Sequence, residues 1–472
     1  MREPLSLVSG TILQGERSRA KEGAEPAGDE TVVAEHDTIF AAASGFGRAA
    51  ICVIRLSGPG VRAALAALAG GVPDARRLAL RTLRDPASGE ALDQALVAYF
   101  PAPRSFTGED QAELHVHGGL ATRAGVLGAL ARLPGLRAAE PGEFTRRAFL
   151  EGRMDLSAVE GLADLIEAQT QAQRRQALRQ LEGGLGRLAE DWRARLIEAQ
   201  ALIEAALDFS DEGDVAEAVE GQAAARLAAL EAEIATAVAD ARRGERLREG
   251  FVVVLAGPPN AGKSTLMNAL ARRDVAIVSA VPGTTRDAIE VSCDLGGLPV
   301  TLIDTAGLRE TADLLEAQGV ARTRAKIAGA DLVVWLDPVD SPAAPEPGFA
   351  APVLRVAAKA DLDGEAAASG GDLALSAATG AGVEALLAAI EGRARGSLGD
   401  GGDAVVTRER HRLALERAVE ALARGRAALA AGDTELAAED ARLAARAVGA
   451  ISGRVDVEDV LDALFGAFCI GK

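Results

Sequence analysis

Cysteine is scarce in this chain: Cys52, Cys293 and Cys469 are the only three in 472 residues. They are too few and too far apart for a disulfide framework or a thiolate zinc site. Aromatic residues are nearly as sparse, with 11 Phe, 2 Trp and 1 Tyr, which excludes an extended stacking platform for single-stranded nucleic acid. No apolar run of about 18 residues occurs, so no membrane-spanning helix is predicted, and the first 30 residues lack the apolar core of a signal peptide. A reducing, cytoplasmic setting without membrane contact is the expectation. Positive charge is in deficit as well: 51 Lys+Arg face 69 Asp+Glu, a net charge of −18. Bulk electrostatics therefore argue against nucleic acid. The deficit is uneven, with 17 acids and 17 bases in residues 1–150, 21 and 12 in 151–250, and 19 and 12 in 251–400. A polyanion would have to dock at a local basic patch or on a partner.

A hydrophobic fraction of 49% excludes a disordered chain and suffices for several cores. The length suggests roughly three domains at about 150 residues each. Residues 1–36 lack periodicity and read as a flexible tail. Over residues 37–153 short apolar runs alternate with helical patterns, as in LDQALVAYF, AELHVHGG and LATRAGVLGALARL, giving an α+β domain. Residues 154–248 carry apolar residues at helical spacing and almost no strand signal. The acidic stretch 208–221 reads as a loop between long helices. At Phe251 the pattern switches to β-runs and helices, an α/β domain over 249–398, with a Pro-rich loop at 337–352 and a Gly-rich linker at 396–403. Residues 399–472 return to helix. The prediction is a multidomain α/β and α protein, with an α/β unit inserted between two halves of one helical domain.

The segment FVVVLAGPPNAGKST sets Gly257, Gly262, Lys263 and Ser264 in the spacing G-x-x-x-x-G-K-S between a strand and a helix. Glycines let backbone amides wrap phosphates, the lysine reaches β- and γ-oxygens, and the serine hydroxyl suits Mg²⁺. Asn260, Ala261 and Thr265 complete this loop. Downstream, LPVTLIDTAG ends a β-run at Asp304, with Thr305 and Gly307 following, a carboxylate for the metal and a glycine amide for the γ-phosphate. Between them VPGTTRD supplies Thr284 and Thr285, hydroxyls in a loop that can close over Mg²⁺. A guanine-reading Asn-Lys-x-Asp is predicted after a later strand; the chain has Ala358, Lys359 and Asp361 there, and Ser376 and Ala377 suit the loop that offers an amide to the guanine oxygen. GTP is favoured over ATP. Leu308 stands where Ras-like proteins carry a glutamine, so transition-state charge needs an arginine finger or a bound cation. Arg286 and Arg309 are nearby, though a surface ion pair is the commoner role of any single arginine.

Four further segments narrow the family: DTIFAAASGFGRAAICVIRLSGP, FTGEDQAELHVHGG, PGEFTRRAFLEGRMDLSAVEGLADLIEA and EDVLDALFGAFCIGK. With VPGTTRD and DTAGLRE they closely resemble the MnmE (TrmE) family of tRNA modification GTPases, from about Asp37 to Lys472. The resemblance implies a folate-binding N-terminal domain, a discontinuous helical domain and an inserted G domain. It also implies a homodimer through the N-terminal domains, working with the FAD-containing flavoprotein MnmG in a heterotetramer-type complex. That complex installs an aminomethyl-type group at C5 of the wobble uridine of tRNA, with carbon from 5,10-methylene- or 5-formyl-tetrahydrofolate. GTP hydrolysis in the family depends on dimerisation of G domains around K⁺.

Carried onto this chain, the resemblance implies Ser264 and Thr285 at Mg²⁺, and Asn260, Ser279, Val281 and Thr284 at K⁺. It places Glu316 where a carboxylate orients the attacking water; Arg286, near the phosphate motifs in the sequence, is the candidate catalytic arginine. It gives Cys469 a role in the modification beside the folate pocket, although a lone cysteine is more often a small buried hydrophobe. Arg48, Glu109, Glu143, Arg146, Arg153 and Lys472 are the implied folate contacts. Ala49–Ala50 and Val116 depart from the family pattern there. His115 and His117 share one strand face but lack a third metal ligand in the sequence, so a structural or pocket-lining role is predicted. A ribosome-assembly or regulatory GTPase, and a folate-dependent one-carbon transferase with a regulatory GTP site, are the competing readings.

Overall fold

The computed structural model describes residues 37–45, 47–208, 213–273, 275–277, 290–304, 329–345, 349–362, 372–399, 404–454, 458–466, 468, 470 and 471. The chain opens with β1 (Thr38–Ala42), β2 (Ala49–Ser57), α1 (Val61–Ala69), β3 (Ala79–Arg84), β4 (Ala91–Phe100), β5 (Gln111–Gly118), α2 (Leu120–Ala131), β6 (Leu136–Ala138) and α3 (Glu143–Leu150). The six strands form one sheet, ordered β3-β4-β5-β2-β1-β6, antiparallel except for β1 with β6. Period-two alternation sends Ile54, Leu56, Leu83, Val97 and Leu114 to one face, where they are sealed by Leu65, Leu68, Val126 and Leu130. On the other face Phe144 of α3 covers Ile39 and Ala41. Beyond that cover Ile51, Leu80 and Leu96 stand 57%, 64% and 41% exposed. The predicted strands and helices of this region are present, and the short β3, β6 and α3 are additional to them.

Next come α4 (Leu156–Glu167), α5 (Gln171–Leu181), α6 (Gly184–Asp208) and α7 (Gly213–Glu249). After the second sheet follow α9 (Val383–Leu398), α10 (Glu409–Ala430), α11 (Thr434–Ser452) and α12 (Glu458–Gly466). Helices α6, α7, α10 and α11 pack together around Trp192, Leu196, Ile203, Leu227, Leu230, Ile234, Leu415, Leu422, Val448 and Ile451. One hydrophobic core thus unites segments that lie on either side of the inserted sheet. Two readings of the sequence need correction. Helix α7 starts at Gly213, inside the stretch read as a loop, because acidic residues are favoured in a helix's first turn. Helix α9 runs to Leu398, into the Gly-rich stretch, because burial of Ala394 and Leu398 outweighs the propensity cost of about 1 kcal/mol at Gly396.

Two polar assemblies tie the segments together. Glu160 of α4 accepts from Arg410 Nη2 at 2.9 Å and from His411 Nε2 at 2.6 Å, with both Glu160 and His411 buried. On α5, Thr170 and Gln173 form a capping box, and three glutamines then donate to backbone carbonyls. Gln173 reaches the Arg248 oxygen and Gln176 the Gly244 oxygen, each at 3.0 Å, and Gln180 reaches the Val405 oxygen. These carbonyls lie where the chain enters and leaves the inserted sheet.

That sheet contains β7 (Phe251–Ala256), β8 (Glu290–Leu295), β9 (Leu298–Asp304), β10 (Leu332–Pro338), β11 (Val353–Ala358) and β12 (Leu373–Leu375), with α8 (Lys263–Ala271) after β7. The order is β12-β11-β10-β7-β9-β8, parallel except for β8. The strands are near-continuous apolar runs, as a sheet buried on both faces requires. No described helix is long and apolar enough to cross a membrane.

Candidate functional site

In a parallel sheet the carboxyl ends of the strands share one edge, and ligands bind where neighbouring connections diverge. Here β7 lies between β9 and β10, so that edge collects the loop after β7, Asp304 at the end of β9, Lys359 to Asp361 after β11, and Ser376 and Ala377 after β12. The loop needs glycine at Gly257, where φ is 146° and a Cβ would meet the Leu336 carbonyl oxygen at 2.5 Å. Asn260 adopts φ 63°, and Gly262, with φ 95°, caps α8. Ala261 is buried in the sheet's core, whereas Thr265 is exposed in the first turn. The Lys263 ammonium donates to the Gly257 and Pro258 carbonyl oxygens at 2.8 and 2.9 Å, folded over its own loop. Ser264 Oγ donates to Asp304 Oδ2 at 2.9 Å. A hydroxyl and a carboxylate of this kind are hard oxygen donors suited to Mg²⁺.

At the far strands, Ala358 is buried at the end of β11 and offers no side-chain amide. Lys359 takes φ 59°, and its ammonium bonds Asp340 at 2.7 and 3.0 Å, while Asp361 is exposed. Ser376 is buried; its hydroxyl accepts from the Thr379 amide at 3.2 Å, and its amide donates to the Ala381 oxygen at 2.9 Å. Ala377 is half-buried beside it. Thr305, Gly307, Arg286, Thr285, Glu316, Ser279, Val281 and Thr284 lie outside the described residues, as do Cys469 and Lys472. Cys52 and Cys293 are buried, and burial pushes the Cys293 thiol up to about 11, which keeps it protonated and inert.

A second site lies beside the first sheet. A cavity of about 630 Å³ is lined by Arg55, Arg76, Arg104 and Arg153, by Phe100 and Phe106, and by Ser105, Gln111, Glu113, Thr145 and Gly471. The Pro141–Ile470 bridge brings the C-terminal residues to this wall. Thr145 is fully buried, and its Oγ1 has no hydrogen-bond partner; the buried Nε of Arg55 has none either. Four guanidiniums against one carboxylate, two aromatic rings and two orphaned polar atoms suit an anionic heteroaromatic ligand.

Of the predicted contacts, Arg153 lines this cavity, whereas Arg48 and Arg146 are exposed and outside its lining. Glu109 and Glu143 belong to an ion-pair cluster: Arg147 donates to Glu109 at 3.0 Å, to Glu143 at 2.9 Å and to Asp37 at 2.6 Å, and Arg137 also pairs with Asp37 and Glu143. Burial opposes ionisation of Asp37 and Glu143, yet the two arginines hold both carboxyls below their ordinary values. His115 bonds Glu113 at 3.3 Å and His117 bonds Asp93 at 2.8 Å; among the described residues no group of three or more potential ligands forms a metal site. Sequence reasoning missed Arg55, Arg76, Arg104 and the two Phe. They come from separate strands and loops, and no motif of fixed spacing joins them.

Two family models match: "MnmE helical domain" over residues 156–469 and "GTP-binding protein TrmE N-terminus" over 38–153. A tRNA modification GTPase MnmE from Methylorubrum populi is 62% identical, with 92% of this chain and 98% of that protein covered. A protein of the same name from a Methylobacterium species is also 62% identical, over 92% of this chain and 100% of its own length. The solved FeoB G domain from Methanococcus jannaschii aligns over 31% of this chain and 98% of its own, at 23% identity and a TM-score of 0.22.

Proposed function

Because the chain belongs to the tRNA modification GTPase MnmE family, we propose that it hydrolyses GTP at the loop after β7 and uses that hydrolysis in modifying the wobble uridine of tRNA. The observation that carries this reading is the Lys263–Ser264–Asp304 constellation at the carboxyl edge of the parallel sheet. Lys263 supplies charge to the β- and γ-phosphates, and the Gly257–Gly262 backbone wraps them. Ser264, with Thr285, would hold Mg²⁺, and Asn260 with Ser279, Val281 and Thr284 would hold K⁺. Both ions, when bound, supply positive charge against the phosphate oxygens, the task for which Leu308 offers no group. Glu316 is the proposed water-orienting carboxylate, and Arg286 the proposed catalytic arginine.

The second cavity supports a tetrahydrofolate site. Its guanidiniums suit a glutamate tail, its phenylalanines suit a pterin, and Thr145 Oγ1 is free to bond the ligand. Gly471 lines its wall, and Cys469, two residues earlier in the sequence, is the residue proposed for one-carbon transfer, which would yield an aminomethyl-type group at C5. The exposed Ile51, Leu80 and Leu96 support a homodimer through the first sheet, and the flavoprotein MnmG is the proposed partner in the cytoplasm. Nucleoside analysis of tRNA from a deletion strain tests the reading: wobble uridines should lose the modification and regain it with this gene. Unchanged wobble uridines would overturn it. Equal affinities for GTP and ATP would overturn the guanine assignment.

A further inference from the structure

The turn after β11 is bonded to both neighbouring strands. The Val339 amide donates to the Ala358 oxygen, the Ala360 amide to the Leu375 oxygen and the Leu362 amide to the Lys359 oxygen, each at 3.0 Å. Between these bonds Lys359 is kept at φ 59°, a left-handed conformation that residues with a Cβ seldom adopt and hold only when the surroundings fix it. Strands β10 and β11 run side by side to their last residues, with Pro338 opposite Ala358. The Leu336 oxygen of β10 in turn lies against Gly257 of the phosphate-binding loop. The rigid turn therefore stands on the nucleotide edge of the sheet.

Its two charged side chains are placed differently. The Lys359 ammonium donates to both carboxylate oxygens of Asp340, at 2.7 and 3.0 Å, across 19 residues of sequence. Asp361 is exposed and forms neither a hydrogen bond nor an ion pair with any described residue. Lys359 is the cation closest to Asp361 in sequence, and its flexible four-carbon stem can swing the charge toward a carboxylate two residues on. Such a pair would occupy the oxygens that the guanine N1–H and 2-amine need as acceptors. Ala358 brings no side-chain amide to share in holding the base, so an open Asp361 matters more here. The Lys359–Asp340 pair is itself 29% and 41% exposed, and exposed pairs of this kind add little to fold stability. Its consequence lies in where it holds the positive charge.

We propose that Asp340 is a positioning residue for guanine recognition: it holds the Lys359 ammonium away from Asp361 and so keeps that carboxylate open to the edge of the base. This rests on the guanine reading above. Asp340 makes no contact with the nucleotide in this role and acts through Lys359 alone.

The test is calorimetric binding of GDP, IDP and ADP to the full-length protein in wild type, D340N, D340E, K359M and D340N/K359M. IDP keeps the N1–H of the base and lacks the 2-amine. D340N should bind GDP about 3- to 10-fold more weakly and lose part of the preference for GDP over IDP, with the melting temperature and ADP binding retained. Its KM for GTP should rise by a similar factor while kcat is kept. D340E still takes up the ammonium and should recover most of the GDP affinity. K359M removes the rival charge, so adding D340N to it should cost nothing further. Wild-type GDP affinity in D340N would overturn the inference, as would an equal D340N penalty with and without the Lys359 ammonium. A loss of GDP binding that comes with a lowered melting temperature would make Asp340 a structural residue and overturn it too. Equal GDP and ADP affinities in wild type would instead defeat the guanine reading itself, a result seen before any variant is made.

Discussion

Ser264, in the first turn of α8, donates its hydroxyl to Asp304 at the end of β9, 2.9 Å away. This contact joins the helix that follows β7 to the neighbouring strand and brings a hydroxyl and a carboxylate to one point. Asp304 is 3% exposed, so the pair is set by the sheet and needs no loop closure to form.

Ser264→Ala should therefore weaken Mg²⁺ binding before it weakens the fold. The Mg²⁺ concentration for half-maximal GTP hydrolysis is expected to rise about 10–100-fold. A Mg²⁺ titration checks this, and an unchanged midpoint would remove Ser264 from the metal site.

Gly257→Ala tests the loop itself. The added methyl would meet the Leu336 oxygen at 2.5 Å at a backbone φ of 146°, at a cost of about 1–3 kcal/mol. Calorimetric GTP binding should be lost or sharply weakened, and wild-type affinity would contradict the tight approach of β10 to the loop.

The Glu160–His411 pair predicts an acid-sensitive fold. Complete burial holds the His411 imidazole below its ordinary value of 6.5, outweighing the attraction of Glu160. Burial would raise the Glu160 carboxyl, yet His411 and Arg410 hold it well below its ordinary 4.5. Both folded-state values are depressed, so the unfolded chain binds protons that the folded chain does not. Stability is full above about pH 6.5 and falls as the pH drops, first through His411 and, below about 4.5, through Glu160. Melting temperatures between pH 7.5 and 5 should decline in wild type and less steeply in His411→Gln; identical slopes would contradict the assignment. Glu160→Gln should cost about 3–5 kcal/mol in urea denaturation at neutral pH.

Thr145→Val separates ligand binding from stability in the cavity. Its Oγ1 is buried without a partner, so its loss should leave the melting temperature unchanged or slightly raised. Affinity for 5-formyl-tetrahydrofolate should fall about 3- to 10-fold, measured by calorimetry. Unchanged affinity would take Thr145 out of the ligand's reach.

The open face of the first sheet should be the dimer contact. Charging it with Leu80→Glu and Leu96→Glu is expected to halve the mass measured by light scattering. A dimer that survives both changes would place the interface elsewhere.

Phosphate chemistry was legible in the sequence because it is local: Gly257 to Ser264 occupy one turn, and a motif of fixed spacing dictates one geometry. Helices were legible for the same reason, through periodicity, except where composition misled at Gly213 and Leu398. Contacts between distant segments were not. Arg146 and Arg147 are adjacent and chemically alike in sequence, yet Arg147 meets three carboxylates while Arg146 faces solvent. Helix phase against strands a hundred residues away decides that difference. Arg55, Arg76 and Arg104 of the cavity, drawn from β2 and the α1–β3 and β4–β5 connections, were invisible for the same reason, whereas Arg153 was reached through the family resemblance.

The Pro141–Ile470 bridge also imposes an order on synthesis. The strands and loops that make most of the cavity wall emerge early from the ribosome, and their sheet can form as soon as they do. Gly471, in the same wall, is translated several hundred residues later, after the nucleotide-binding sheet and the second half of the bundle. A nascent chain therefore carries a finished first sheet with an open cavity throughout most of its translation, and ligand capture at the completed wall must await that late segment.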